Sequence, residues 1–185
     1  MAFIVVYDAN VLYPNTLRDL LIRIAQLPHL VQAKWTDDIL DEALGAVSKN
    51  HPDIPSEKIG RLRHLMNEAV RDCLVEGYEP LIDSLDLPDP DDRHVLAAAI
   101  KAGAQAIVTR NLRHFPKGRL APWNMRAKSP DDFVRDQIDI DRQAVYACVQ
   151  QIVDSRTRRP VTIEDVLQEL ETDSLVTSAA ALRMH

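Results

Sequence analysis

Several acidic residues occupy positions from which a carboxylate could bind a metal ion or activate a water molecule. Asp8 directly follows Phe3 to Tyr7, a run of β-branched and aromatic residues that is typical of a buried parallel strand. Open α/β sheets place their ligands at the carboxyl ends of such strands, so Asp8 is the strongest single candidate. An isolated aspartate at a strand end can equally cap a helix or turn the chain. The other polar residues near Asp8 in the fold therefore decide between a functional and a structural role.

A second acidic group surrounds Pro90, just before an alanine-rich segment with helical spacing, and consists of Asp89, Asp91 and Asp92. Carboxylates at a helix start are stabilised by free backbone amides, which accounts for one of the three. Three crowded carboxylates repel one another and raise each other's pKa unless a cation compensates. Mg²⁺ or Mn²⁺, which prefer oxygen ligands, would provide that compensation.

Two other polar residues have ambiguous roles. Asn10 lies two residues after Asp8 and could orient its carboxylate or a water molecule, although asparagine is also common in turns. Glu42 falls within a predicted helix that Thr36 can cap. Its neighbours do not reveal whether its side chain points toward the sheet or into solvent, so an ordinary surface glutamate is an open alternative.

Alternating helix and strand patterns predict the framework around these residues. Amphipathic helices are predicted at 16–26, 36–47, 59–73 and 91–102, and further strands at 30–35 and 105–109. This alternation favours an α/β fold whose parallel strands end on one edge. After Ser129 only helices are predicted, near 131–156 and 162–171, with a possible further turn after Asp173. We therefore divide the chain into residues 1–128 and a helical C-terminal extension, residues 129–185.

Composition limits the kinds of partner. The formal net charge is −6, which argues against coating nucleic acid through overall charge, so any nucleic-acid site must be a local basic patch. The segment from Arg110 to Lys128 contains basic residues and no acidic residue. It could hold a phosphate backbone, and solvated loop charges are the alternative.

The cysteines and the opening residues indicate the compartment. Cys73 and Cys148 match no metal-ligand spacing, and we interpret them as buried thiols in a reducing compartment, without zinc. The run from Met1 to Tyr7 has no basic beginning and ends at an aspartate, far short of a signal peptide or a membrane span. We expect a cytoplasmic protein that does not engage the membrane.

Four features resemble the PIN-domain nucleases, over about Phe3 to Phe115. They are YDANVL from Tyr7, Glu42 in its predicted helix, LPDPDDRHVLAAA from Leu87 and IVTRNLRHFP from Ile107. The motifs that begin at Leu87 and Ile107, at this separation in the sequence, are the features most specific to the family. The resemblance, in particular to VapC-type toxins with a helical C-terminal extension, implies a three-layer fold with a central parallel twisted sheet flanked by helices.

The resemblance also implies an activity, that of a metal-dependent endoribonuclease, the toxin of a type II toxin-antitoxin pair. Carried over, the catalytic acids are Asp8, Glu42 and Asp92. Asp8 and Asp92 would bind Mg²⁺ or Mn²⁺, and Glu42 would orient the attacking water. Supporting positions are Asn10, Asp89, Thr109 and Asn111. By analogy with relatives, the partners would be RNA, a small antitoxin protein and a second copy of the chain.

The sequence departs from the family pattern near its last motif. Asn111 replaces the common fourth aspartate, and His114 stands where many relatives carry an acid. Both changes lower the local negative charge and weaken the expectation of a second metal. His114 could instead contact a phosphate, or be a plain surface histidine. The candidate RNA-binding residues are Arg110, Arg113, His114 and Lys117.

Two other functions stay open. A non-catalytic PIN-like module that binds RNA or protein is compatible with the altered fourth acidic position. A haloacid-dehalogenase-like phosphatase also begins with a strand and an aspartate pair, but Asn10 removes its general acid, and no convincing lysine motif precedes Asp91. Metal-dependent RNA cleavage that requires Asp8 would favour the nuclease, and turnover of an aryl phosphate would favour the phosphatase.

Overall fold

A parallel sheet forms the centre of the molecule. The computed structural model describes residues 3–184, and Met1, Ala2 and His185 lie outside that range. Within it, the strands pair in the order β2-β1-β3-β4, with all three pairings parallel. They are Ile4–Tyr7 (β1), Gln32–Lys34 (β2), Ala106–Val108 (β3) and Arg126–Lys128 (β4). The predicted parallel sheet is confirmed, whereas β4 was missed because its sequence, Arg-Ala-Lys, has no apolar run.

Helices occupy both faces of this sheet. From β1 the chain moves to β2 on one side, and it then crosses back over β1 to β3 on the other side. Because both crossovers are right-handed and run in opposite directions across the sheet, their helices cover opposite faces of the sheet. The helices before β3 are Ala9–Leu12 (α1), Asn15–Ala25 (α2), Asp37–Asn50 (α3), Ser56–Ala69 (α4), Glu79–Ile82 (α5) and Arg93–Ala102 (α6). Lys117–Leu120 (α7) lies between β3 and β4. The α/β class and the flanking helices agree with prediction.

The C-terminal extension is helical, as predicted, and packs on the sheet domain. It contains Pro130–Ser155 (α8), Ile163–Thr172 (α9) and Val176–Arg183 (α10). The predicted single helix over 131–156 is interrupted at Asp141, whose backbone is non-helical (φ −150°, ψ 85°) and whose Oδ1 accepts a hydrogen bond from Ala144 N at 3.0 Å. Asp141 thus restarts the helix as a cap. The boundary between residues 128 and 129 stays a prediction.

One aromatic group joins the extension to the sheet. Tyr7, at the end of β1, stacks on Trp35 with ring centroids 6.3 Å apart and meets the edge of Phe133 from α8 at 5.8 Å. All three side chains are fully buried, and the Tyr7 hydroxyl donates to Leu21 O at 3.2 Å. Because Tyr7 immediately precedes Asp8, the extension supports the strand end from which Asp8 projects.

The helix predicted to reach Cys73 ends at Ala69, and the residues after it pair with Trp35: Trp35 N donates to Cys73 O and Val75 N to Trp35 O, both at 2.9 Å. Cys73 and Cys148 are free and buried, as predicted. None of the helices within residues 3–184 combines the length and the apolar character needed to cross a bilayer.

Candidate functional site

Asp8 and Thr109 lie side by side at the carboxyl edge of the sheet. They follow β1 and β3, which are neighbours, and Asp8 N donates to Val108 O at 3.0 Å. β1 pairs with β2 on its other side, so the chain reverses its direction across the sheet at this point. The crevice at such a reversal is where open α/β sheets bind ligands.

The Asp8 carboxylate is held on both oxygens and is only 4% exposed. Oδ1 accepts from Ala9 N at 2.7 Å and caps α1, while Oδ2 accepts from Thr109 Oγ1 at 2.8 Å and from Asn10 Nδ2 at 3.2 Å. Burial raises the pKa of Asp8 to about 6; the charges of Asp92 and Glu42 add to this rise, and the hydrogen bonds oppose it. The capping interpretation is therefore correct for Oδ1, whereas Oδ2 is bound by Thr109 and Asn10.

Thr109 and Asn10 form a polar network that orients Asp8. Thr109 is fully buried, and its hydroxyl also accepts from Asn111 N at 3.0 Å. Asn10 donates to the same hydroxyl at 3.2 Å and accepts from Arg110 N at 2.9 Å. Asn111 is exposed and enters this network through its backbone. The two strand ends are thereby linked by side chains as well as by the sheet.

The predicted acidic group before α6 divides as the sequence suggested. Asp89 Oδ1 accepts from Asp91 N at 2.9 Å and caps the 3₁₀ turn Pro90–Asp92. Asp92 sits at the N-cap position of α6 without accepting a capping hydrogen bond. Its Oδ2 instead lies 2.7 Å from Nδ1 of His114. Burial raises the pKa of Asp92, the Asp89 and Glu42 charges add to this, and His114 opposes it.

Glu42 points toward the site and meets a histidine that sequence reasoning did not single out. Its Oε1 lies 2.6 Å from Nε2 of His94 on α6. Burial lowers the pKa of His94, but contact with Glu42 and the charges of Asp38 and Asp8 outweigh burial and raise it. His94 appeared only inside the apolar helix motif, and no local pattern connects it to a glutamate 52 positions earlier.

The donor set suits a divalent cation. The charges of Glu42 and Asp92 both act on Asp8 and raise its pKa. Carboxylates that repel one another favour a cation between them. Within residues 3–184, three residues have ligand atoms that all lie within 4.8 Å of one another, and they are Asp89, Asp92 and His114. The residues present therefore fit the metal that the family resemblance implies.

The basic segment after β3 divides into two groups. Arg110, Arg113 and Lys117 are exposed near the carboxyl edge, and within the described chain no salt bridge joins Arg113 or Lys117 to an acid. Arg119 pairs with Asp86 and Lys128 with Asp136. Arg126 begins β4 and so lies at the opposite edge of the sheet. A phosphate backbone that approached Asp8 would meet the first group.

The raised pKa of Asp8 predicts a pH-dependent cost to the metal-free protein. Its carboxyl ionises near pH 3.8 when unfolded and near 6 when folded, so its contribution to stability is lost as the pH rises through that interval. The loss is about 3 kcal/mol. In EDTA, the difference in unfolding free energy between wild type and Asp8→Asn should shift by about 2 kcal/mol in favour of the variant from pH 4 to pH 6.5, because part of the loss has already occurred at pH 4. A pH-independent difference would contradict the prediction, and chemical denaturation measures it.

Comparison with known proteins agrees with this arrangement. The PIN domain family model matches residues 4–113, and a model described as VapC50 C-terminal domain matches residues 130–184. A Mycobacterium tuberculosis protein named "Putative ribonuclease VapC50" is 42% identical over 94 residues, which are 51% of this chain and 55% of that protein. The alignment thus spans about half the length of that relative. The search of solved structures found no match. Because the family model covers more than half of the sequence, the chain belongs to the PIN domain family.

Proposed function

We propose that the protein is a metal-dependent endoribonuclease, and that it acts as the toxin of a type II toxin-antitoxin pair. The observation that carries this proposal is the buried carboxylate of Asp8 at the reversal point of the sheet, on which the charges of Asp92 and Glu42 act. A buried acid with a perturbed pKa in such a crevice marks a functional site. The similarity to a relative named as a ribonuclease supports the same activity.

Asp8 and Asp92 would hold Mg²⁺ or Mn²⁺. When bound, the cation would polarise a phosphoryl oxygen and lower the pKa of a water molecule at neutral pH. The protein supplies the fixed geometry: Thr109 and Asn10 hold Oδ2 of Asp8, and His114 holds Asp92. Such outer partners fix the orientation of ligands and tune their basicity.

Glu42 would orient the attacking water and take its proton. It is half exposed, so it can face a water at the mouth of the crevice, and His94 fixes it from the protein side. His94 is a positioning residue here, since it reaches the site through Glu42. A general base must lie within hydrogen-bond reach of the proton that it removes.

RNA would lie along the carboxyl edge, with its phosphates against Arg110, Arg113 and Lys117. The logarithm of the RNA-binding constant falls linearly with the logarithm of the salt concentration, and each phosphate contact makes this slope steeper by roughly one. We expect Arg113→Glu with Lys117→Glu to weaken RNA binding and to reduce that slope by about two. The matched control is Arg126→Glu, at the opposite edge, which should leave the slope unchanged. RNA binding would be measured by fluorescence anisotropy. An equal loss of RNA affinity in the double variant and in Arg126→Glu would contradict this placement.

The partners follow from the same assignment. A small antitoxin protein would block the acidic crevice until it is released or degraded, and a second copy of the chain is the proposed oligomeric partner. We propose the cytoplasm as the compartment, since RNA and a coexpressed antitoxin would both be available there. Copurification of a small protein that inhibits cleavage would support this part.

Cleavage of RNA tests the proposed activity. The purified full chain would be incubated with total RNA in Mn²⁺, in Mg²⁺ and in EDTA, and new 5′ ends would be mapped by sequencing. We expect discrete cuts with a divalent cation and none in EDTA. Binding without cleavage, in folded protein free of an inhibitory partner, would contradict the nuclease and favour an RNA-binding module.

A further inference from the structure

We propose that a cavity at the amino edge of the sheet binds an adenine nucleotide, a small ligand with a base amine, a planar ring and a phosphate group. The cavity has a volume of about 630 Å³ and lies between the amino ends of the strands and α8. Sites for small molecules usually have volumes of roughly 300 to 1,000 Å³. We name it the Gln137 cavity. The inference does not rest on the proposed nuclease, whose residues lie at the carboxyl edge.

One wall of the Gln137 cavity is formed by residues at the amino ends of neighbouring strands. Phe3 precedes β1, Gln105 precedes β3 and Arg126 begins β4. Gln105 N donates to Ile4 O at 2.9 Å, and Arg126 N donates to Gln105 O at 3.0 Å. The sheet therefore holds these side chains next to one another, and α8 contributes Gln137 to the same cavity.

Gln137 has a buried hydrogen-bond acceptor without a partner. The residue is only 2% exposed, and its Nε2 donates to Phe133 O at 3.2 Å. Because a carbonyl oxygen can only accept, this contact fixes which end of the Gln137 amide is the nitrogen. Its Oε1 accepts a hydrogen bond from no group within residues 3–184. A buried acceptor left in this way destabilises a protein, so Gln137 requires a donor from outside the described chain.

Gln105 supplies a donor to the same cavity. Its Oε1 accepts from Ile4 N at 2.7 Å, which leaves the Nε2 of the amide to donate to a ligand. A bound molecule would thus meet one acceptor, on Gln137, and one donor, on Gln105. Adenine carries the complementary pair, an amine beside a ring nitrogen, and side-chain amides are its usual partners in nucleic-acid recognition.

Apolar side chains in the cavity suit a planar ring. Phe3 and Ile140 line it and are 37% and 63% exposed, which leaves large apolar surfaces in contact with water. A ring that covered them would remove this surface from water, and aromatic side chains also stack on nucleobases. We therefore expect the base to pack against Phe3.

The unpaired charge of the cavity is positive. Its two acids have basic partners: Asp136 pairs with Lys128, and Asp139 pairs with Arg135 at 3.2 Å. Arg126 is exposed, and no salt bridge joins it to an acid in the described part of the chain. A guanidinium binds phosphate oxygens through two parallel hydrogen bonds. Arg126 is therefore the residue that would bind the phosphate of the nucleotide.

Isothermal titration calorimetry of the full chain with adenosine monophosphate tests the proposal. Purine riboside monophosphate is the matched ligand, since it lacks only the amine. Wild type should bind it about tenfold more weakly or worse, because Gln137 Oε1 then stays unpaired. Gln137→Met keeps a side chain of similar size without the acceptor, and it should bind both nucleotides equally. Gln143→Met, an exposed position on the same helix, should keep the wild-type preference.

The phosphate contact is tested with a second pair of variants. Arg126→Gln should weaken the binding of adenosine monophosphate by about tenfold and leave the binding of adenosine, which lacks the phosphate, unchanged. Arg61→Gln is the control, since this arginine is exposed on α4 and does not line the cavity. It should bind both ligands as wild type does.

Three results would overturn the proposal. Folded wild type that binds no adenosine monophosphate at millimolar concentration would show that Gln137 Oε1 is satisfied by water alone. Equal affinity of wild type for the two nucleotides would remove the role of Gln137. Displacement of the nucleotide by RNA would assign the cavity to the RNA-binding surface. None of these measurements depends on RNA cleavage, so failure of the proposed nuclease would leave the inference intact.

Discussion

Asp8→Asn is expected to reduce RNA cleavage by at least about 10³-fold while the fold persists. The substitution removes the most buried carboxylate of the site, and a bound cation contributes several kcal/mol to the stabilisation of charge in such reactions. Asparagine retains an oxygen that can accept from Ala9 N, so α1 keeps its cap. The initial rate of cleavage of a defined RNA in saturating Mn²⁺ measures the effect.

The control for this prediction comes from the same acidic segment. Asp91 is exposed, between Asp89 and Asp92, and its backbone N–H donates to Oδ1 of Asp89 at 2.9 Å. Asp91→Asn changes the net charge as Asp8→Asn does, and it should retain cleavage within about twofold, since isolated surface charges have small effects. A similar loss in both variants would attribute the effect to net charge and contradict the assigned role of Asp8.

Phe133→Ala is expected to destabilise the whole protein by about 3–5 kcal/mol, the usual cost of removing a large buried aromatic side chain. Phe133 is fully buried and meets Tyr7 edge to face. The variant should therefore show a Tm lower by roughly 10 °C. One cooperative transition in thermal unfolding is expected, because the core is continuous between the sheet and α8.

Ile140→Ala is the matched control, since it lies on the same helix with a side chain that is 63% exposed. Its effect should stay within about 0.5 kcal/mol. If Phe133→Ala lowers stability no more than this control, or splits unfolding into two transitions, then the C-terminal extension does not support the sheet in the way that the aromatic contacts indicate.

The sequence predicted the elements of the site better than their contacts. Asp8 could be placed at the sheet edge because a buried strand ends immediately before it, and strand ends of a parallel sheet share one edge. The orientation of Glu42 could not be predicted, because its helix has exposed and buried positions on either side of it. His94 decides that orientation from another helix, and a contact of such long range leaves no periodic signal.

The same limit explains the misplaced elements of the fold. Helical spacing in the fourth helix continues toward Cys73, but the backbone there is diverted to pair with Trp35. The break at Asp141 depends on a side chain that caps Ala144, which the apolar pattern of α8 does not encode. Tertiary contacts therefore override local preference at these positions.

The central claim is that three carboxylates hold a divalent cation: Asp8 after β1, Glu42 within α3 and Asp92 at the start of α6. Anomalous diffraction from crystals of the full chain soaked in Mn²⁺ tests it most directly, since the peak locates the ion without a model of its ligands. We predict a peak at bonding distance from both Asp8 and Asp92, which disappears in Asp8→Asn crystals grown in the same way. Occupied Mn²⁺ sites elsewhere, with no peak between these two carboxylates at saturating Mn²⁺, would contradict the account.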